Sequence, residues 1–334
     1  MKIVFFSAKP YDREFFESCN KHYDFELEFW ETHLGPHIAD AIKIGTDVVC
    51  VFVNDKLTTD VIAILAQKGV RIIALRCAGF NNVELNAAKQ YGIRVCRVPA
   101  YSPQAVAEHA VAMLLTLNRK THKAYNRVRE QNFSLSGLMG FNLFGKTVGV
   151  IGTGKIGTAF CKIMLGFGCT VLASDPFVNK SLQSAGVKYL PFHEVIKEAD
   201  IISLHCPLTP DNHYLIGSNS LSTMKKGVTL INTSRGGLIN TREVIEALKT
   251  GQLAALGIDV YEQEEQLFFK DLSGSIIGDD DIQRLISFPN VLLTGHQAFF
   301  TQEALTEIAD STLKTVKILL EDNAEEIVSD AILV

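Results

Sequence analysis

The chain has 334 residues, 47% of them hydrophobic and 21% charged, with a net charge of −5. That balance fits a globular protein of two domains and argues against a nucleic-acid binder, which would carry a basic face. Its richest apolar stretch, Ala110 to Leu117, falls far below the roughly 18 residues of a membrane span, and Met1-Lys2-Ile3-Val4-Phe5-Phe6-Ser7 reads as a first strand rather than a signal peptide. The seven cysteines (Cys19, Cys50, Cys77, Cys96, Cys161, Cys169, Cys206) form no Cys-x-x-Cys pair. They are expected to be free thiols in a reducing cytoplasm.

Short apolar runs alternate with helical periodicity along the chain. Strands are expected at Lys2–Ser7, Val48–Val53, Ile72–Leu75 and Arg94–Val98, with helices near Thr59–Lys68 and Val83–Gln90. A long helix is expected from Pro103 past Glu108 toward Arg129. A second series of strands follows at Thr147–Ile151, Thr170–Ala173, Ile201–Leu204, Thr229–Asn232, Ala255–Asp259 and Val291–Thr294. The amphipathic stretch Thr301–Leu320 reads as a final helix. Such alternation predicts parallel sheets covered by helices. The one long irregular region is Glu262–Asp281, which suits a functional loop.

Gly152-Thr153-Gly154-Lys155-Ile156-Gly157 follows the apolar run Val148–Ile151 and opens a helical stretch. Gly-x-Gly-x-x-Gly is weak alone but specific in that setting. Gly152 makes the tight turn, Gly154 admits a pyrophosphate and Gly157 packs helix on strand, with the helix N-terminus facing the phosphates. Asp175, at the end of the next strand, is expected to accept from the adenosine ribose and to repel a 2′-phosphate, favouring NAD over NADP.

Three motifs stand at later strand ends: Asn232-Thr233-Ser234-Arg235-Gly236-Gly237, Gly257–Glu264 and Thr294-Gly295-His296-Gln297-Ala298-Phe299. In an open parallel sheet these ends share one edge with the glycine loop. Arg235, Glu264 and His296 are therefore expected to converge. Reducing a 2-oxoacid needs such types: an arginine to grip the carboxylate, a histidine to protonate the ketone oxygen and a carboxylate to hold it charged. No His/Cys/Asp cluster has metal-ligand spacing, and His109 and His122 read as isolated on a helix; no catalytic metal is expected.

These motifs, with Phe52-Val53-Asn54-Asp55, Arg76–Val83, Val98–Pro103 and His205–Thr209, closely resemble the D-2-hydroxyacid dehydrogenase family, and within it the fermentative lactate branch. The resemblance covers essentially the whole chain. It implies an α/β protein of two flavodoxin- or Rossmann-like domains with parallel sheets, the nucleotide domain inserted in the substrate domain. Residues 1–100 and a C-terminal helix within 300–334 would form the substrate domain, and 101–299 the NAD domain.

By that resemblance Arg235 binds the substrate carboxylate, His296 is the proton donor and Glu264 supports it. Lys155, Ile156, Cys206, Pro207, Asn212, Thr233, Ser234 and Asp259 would contact NAD together with Gly152, Gly154, Gly157, Asp175 and Arg235. Ala78 and Gly79 would hold the carboxylate through backbone N–H groups, and Phe52, Tyr101 and Phe299 would wall the side-chain pocket beside Arg235 and His296. The expected reaction is reversible NADH-dependent reduction of pyruvate to D-lactate. A broader D-2-hydroxyacid or D-2-hydroxyisocaproate dehydrogenase is the alternative, and a non-enzymatic NADH sensor a remote one. Beyond a small 2-oxoacid or 2-hydroxyacid, the implied partner is a second copy of the chain, as a homodimer or tetramer, with no nucleic acid or membrane.

Overall fold

The computed structural model describes residues 1–321 and 329–334; within the expected final segment 300–334, residues 322–328 lie outside the described residues. The chain divides into two compact units. One comprises Met1–Ser102 with Phe299–Val334, and the other is the continuous stretch Pro103–Ala298.

The first unit is built on strands β1 (Lys2–Phe5), β2 (Glu26–Phe29), β3 (Val48–Val51), β4 (Ile72–Leu75) and β5 (Arg94–Arg97). They pair in the order β2-β1-β3-β4-β5, with every pairing parallel. This is the flavodoxin order, whose ligand edge lies at the carboxyl ends of the strands. β3 and β4 are buried along their whole length, which is why they read as unbroken apolar runs. The 19-residue helix Gln302–Leu320 packs on the helix Pro10–Asn20, β4 and β5. The chain then returns to the sheet: Leu333 N donates to Val95 O at 2.8 Å and Val95 N to Val334 O at 3.1 Å.

The second unit carries β6 (Thr147–Ile151), β7 (Thr170–Ser174), β8 (Lys188–Tyr189), β9 (Ile201–Leu204), β10 (Val228–Asn232), β11 (Leu253–Ile258) and β12 (Val291–Leu293). Their order is β12-β11-β10-β9-β6-β7-β8, again parallel throughout. The strand order reverses between β6 and β9, the switch point at which open sheets bind ligands. Alternate side chains serve opposite faces. Val171, Ile201 and Ile231 join Met113, Leu114 and Phe160 on one face. Leu172, Ile202 and Leu230 join Val195, Val244 and Leu285 on the other.

The single helix expected from Pro103 toward Arg129 is instead two, Pro103–Arg119 and Thr121–Arg129. Lys120 between them adopts a left-handed conformation, φ +50°, which breaks the helical ladder. The break is fixed from outside. Lys120 Nζ donates to Gly137 O at 2.9 Å and Met139 O at 3.1 Å. Asn118 bonds Phe141 N and O, both at 2.8 Å. Two strands, β2 and β8, have no counterpart in the sequence reading; both are edge strands, and β2 lacks a fully buried residue.

Candidate active site

The glycine loop stands at the switch point. Gly152 has φ +93°, and a Cβ there would lie 2.7 Å from the backbone of His205 and Cys206, at the end of β9. A Cβ on Gly157 would lie 2.0 Å from Gly152 O. Neither position admits a side chain. Around Gly154, by contrast, a Cβ meets nothing within 4 Å, so the space in front of the helix Lys155–Gly166 is open to a ligand. Lys155 and Ile156 form its first two positions, where backbone N–H groups have no intrahelical partner.

Asp175 follows β7 directly. Its Oδ2 accepts from Thr153 N at 2.6 Å and its Oδ1 from Phe177 N at 2.8 Å. The acid expected on the ribose thus also fixes the glycine loop. Beneath that loop, burial pushes His205 down to about 3. Its Nε2 meets Ser203 Oγ at 2.9 Å, while Nδ1 is buried without a partner among the described residues. Burial first, and then Asp175, push the Cys206 thiol up to about 11, so it stays protonated.

Across the switch point, Ser234 Oγ donates to Cys206 O at 2.6 Å, tying the loop after β10 to the loop after β9. Asn212 closes the latter, accepting from Thr209 N at 2.7 Å and donating to Pro207 O at 2.8 Å. Thr233 is 8% exposed, and its Oγ1 is buried with no hydrogen-bond partner among the described residues. A buried hydroxyl in that state calls for an external partner. The open Gly154 cradle and this hydroxyl fit a dinucleotide lying along the strand ends. Arg235 is exposed, with Nη1 on Ser234 O at 2.7 Å.

His296 Nδ1 lies 3.0 Å from Glu264 Oε1, the two side chains 22% and 24% exposed. Glu264 Oε2 accepts from Tyr261 N at 3.0 Å, which fixes the carboxylate. His296 has φ +56°, a conformation that costs a non-glycine residue about 1–3 kcal/mol and persists only where surroundings impose it. Asp259 imposes it. This carboxylate is 0% exposed; it accepts from Thr294 Oγ1 at 2.5 Å, Gln297 N at 2.9 Å and Ala298 N at 2.8 Å. Burial alone would raise its pKa, but hydrogen bonds from His109, Thr294, Gln297 and Ala298 outweigh it and hold the carboxyl below its usual range.

His109 is therefore not an isolated helix residue. Its Nε2 lies 3.5 Å from Asp259 Oδ1 and 3.2 Å from Thr294 Oγ1. No local pattern in the sequence signals this contact across 150 residues of chain.

In the first unit, Phe299 gathers the other two aromatic residues expected around the substrate. Its ring lies 6.3 Å from Phe52 and 6.2 Å from Tyr101. Phe52 is held from behind: its N–H donates to Asp55 Oδ2 at 2.6 Å, and the Arg76 guanidinium lies 5.0 Å from its ring. Arg76, only 2% exposed, pairs with Asp12 at 3.1 Å. Ala78 and Gly79 lie half-buried in the loop after β4, where Ala78 O accepts from Arg97 Nη1 at 2.9 Å.

The family model described as D-isomer specific 2-hydroxyacid dehydrogenase, NAD binding domain, matches residues 111–298. A 2-hydroxyacid dehydrogenase homolog of Haemophilus influenzae is 52% identical over 316 residues, 95% of each chain. D-lactate dehydrogenase of Escherichia coli K12 is 50% identical over 316 residues, covering 95% of this chain and 96% of the other. The apo structure of the Escherichia coli enzyme superposes with a TM-score of 0.91 at 46% identity, covering both chains completely.

Proposed function

This chain belongs to the D-isomer specific 2-hydroxyacid dehydrogenase family, and we propose that within it the chain acts as a D-lactate dehydrogenase, reducing pyruvate with NADH. The observation that carries the reading is the 3.0 Å contact of Glu264 with His296 Nδ1, which leaves Nε2 to serve a substrate. The bound nicotinamide supplies the hydride for the ketone carbon. His296 Nε2 gives its proton to the ketone oxygen, and Glu264 stabilises the imidazolium that holds this proton beforehand.

Arg235 takes the substrate carboxylate in two parallel hydrogen bonds, and its exposed side chain is accessible for that task. Ala78 and Gly79 add backbone donors to the same carboxylate. The cluster of Phe52, Tyr101 and Phe299 limits the substrate to a side chain near the size of a methyl group. For NAD we assign Gly152, Gly154, Lys155, Ile156 and Gly157 to the diphosphate and Asp175 to the ribose. Cys206, Pro207 and Asn212 line the adenosine side, and Thr233, Ser234, Arg235 and Asp259 the nicotinamide side. The wholly buried Asp259 acts there through the backbone it holds.

Steady-state kinetics with NADH and a panel of 2-oxoacids test the reading. Pyruvate should exceed 2-oxobutyrate, 2-oxoisocaproate should be poor, and the product should be D-lactate. A preference for 2-oxoisocaproate would transfer the chain to the isocaproate branch, and absence of turnover would leave an NADH-binding protein.

We further assign the chain to a homo-oligomer. Phe133, Leu135, Met139 and Phe144 are 73%, 83%, 87% and 79% exposed, although Lys120 and Arg127 pin the segment that bears them. A shaped, exposed apolar arm suits a second copy of the chain. Sedimentation of Leu135→Glu with Met139→Glu should then report a smaller species than the unmutated protein. A cytoplasmic location accords with seven free cysteines.

A further inference from the structure

Two residues of the second unit that are not glycine share a left-handed backbone and lie side by side: His296, φ +56°, and Phe269, φ +63°. For a bulky aromatic residue that conformation is a genuine outlier. Phe268 is 6% exposed and packs in the core beneath the sheet, and the partly buried Phe269 packs against the same core. The Phe269 ring centroid also lies 5.9 Å from the His296 imidazole at an interplanar angle of 35°.

The same loop provides Glu264, and the two are structurally linked: Phe268 N donates to Glu264 O at 2.8 Å and Leu267 N to the same oxygen at 3.0 Å. One short turn therefore supplies both a carboxylate at Nδ1 and an aromatic ring beside the imidazole. From the sheet side the histidine backbone is fixed by Asp259, with His109 and Thr294 behind it.

We propose that Phe269 is a positioning residue for the proton donor, clamping the His296 imidazole against Glu264. Its ring, 5.9 Å from the imidazole, limits the rotations that would break the 3.0 Å contact at Nδ1. The role rests on the proposed reading of His296 as proton donor, but its physical content, a held imidazole, does not depend on turnover.

The test is therefore double. In Phe269→Leu, kcat for pyruvate reduction should fall severalfold with KM for NADH unchanged, and Phe269→Tyr, which keeps a ring, should restore it. In parallel, NMR relaxation of the His296 ring, assigned from a His296→Asn sample, should show greater ring mobility in Phe269→Leu without any substrate. A folded Phe269→Leu protein with an unchanged kcat and an unchanged His296 ring mobility would overturn the proposal. If Phe269→Leu does not fold, Phe269→Met carries the same comparison. Should the unmutated enzyme not turn over pyruvate, the lactate reading fails while the NMR comparison still decides the role of Phe269.

Discussion

The carboxylate of Asp259 accepts the backbone N–H of Ala298 at 2.8 Å, two residues beyond the histidine whose strained conformation it maintains. A wholly buried acid here acts on the backbone of the site rather than on a ligand. Asp259→Asn loses a charge-assisted acceptor for up to four donors and should cost about 2 kcal/mol or more. The pH dependence follows from the sign of its shift. A carboxyl held below its ordinary pKa stabilises the fold above that ordinary value, and the contribution is lost as pH falls through the folded value. Thermal melts should thus show the largest deficit of the Asn variant near neutrality and a narrowing gap toward pH 3. A gap constant across that range would remove Asp259 from this role.

Glu264→Gln keeps a hydrogen-bond acceptor near His296 Nδ1 but removes the charge. If Glu264 supports the proton donor as proposed, kcat for pyruvate reduction should fall by about tenfold or more with KM for NADH little changed. Steady-state kinetics at fixed pH measure this, and an unchanged kcat would exclude Glu264 from the role.

Asp175 accepts from Thr153 N, and we propose that its charge also sets the choice of cofactor. The two can be separated. Asp175→Asn retains an acceptor for the loop and removes the charge, so it should narrow the preference for NADH over NADPH with a modest loss of NADH affinity. Asp175→Ala should loosen the glycine turn as well and weaken both cofactors, by about tenfold or more for NADH. Equal effects of the two substitutions would mean that the loop bond is immaterial.

Phe299 is 8% exposed, so a drastic truncation would confuse pocket size with folding. Phe299→Leu is the milder probe. The ratio of kcat/KM for 2-oxobutyrate to that for pyruvate should rise by about threefold to tenfold, because a methylene that fits is worth about 1 kcal/mol or more. An unchanged ratio with a lowered melting temperature would assign the ring to packing alone.

The glycine loop was legible in the sequence because its constraints are local: a strand, a turn closed to side chains at Gly152 and a helix start within six residues. The convergence of Glu264 and His296 was legible one level higher, since parallel sheets deliver their strand ends to one edge. The left-handed backbones of Phe269 and His296 were not, because ordinary propensity opposes them and only tertiary contacts impose them. The same holds for the break at Lys120, where periodicity runs on but bonds to Gly137 and Met139 decide. β2 is not legible because Glu26-Leu27-Glu28-Phe29 is a half-exposed edge strand without an apolar run.

The division of the chain also bears on the order in which it is made. The first unit takes its sheet from the first 102 residues but its covering helix, Gln302–Leu320, from near the other end. During synthesis, β4, β5 and the helix Pro10–Asn20 wait with an uncovered apolar face until nearly 200 further residues have emerged. The continuous second unit has no such wait and is complete by Ala298. Domains generally fold as units, and exposed apolar sheet faces favour aggregation in the meantime. The first unit, although its strands precede the second unit in the chain, is thus the later of the two to close, with its apolar face exposed in the meantime.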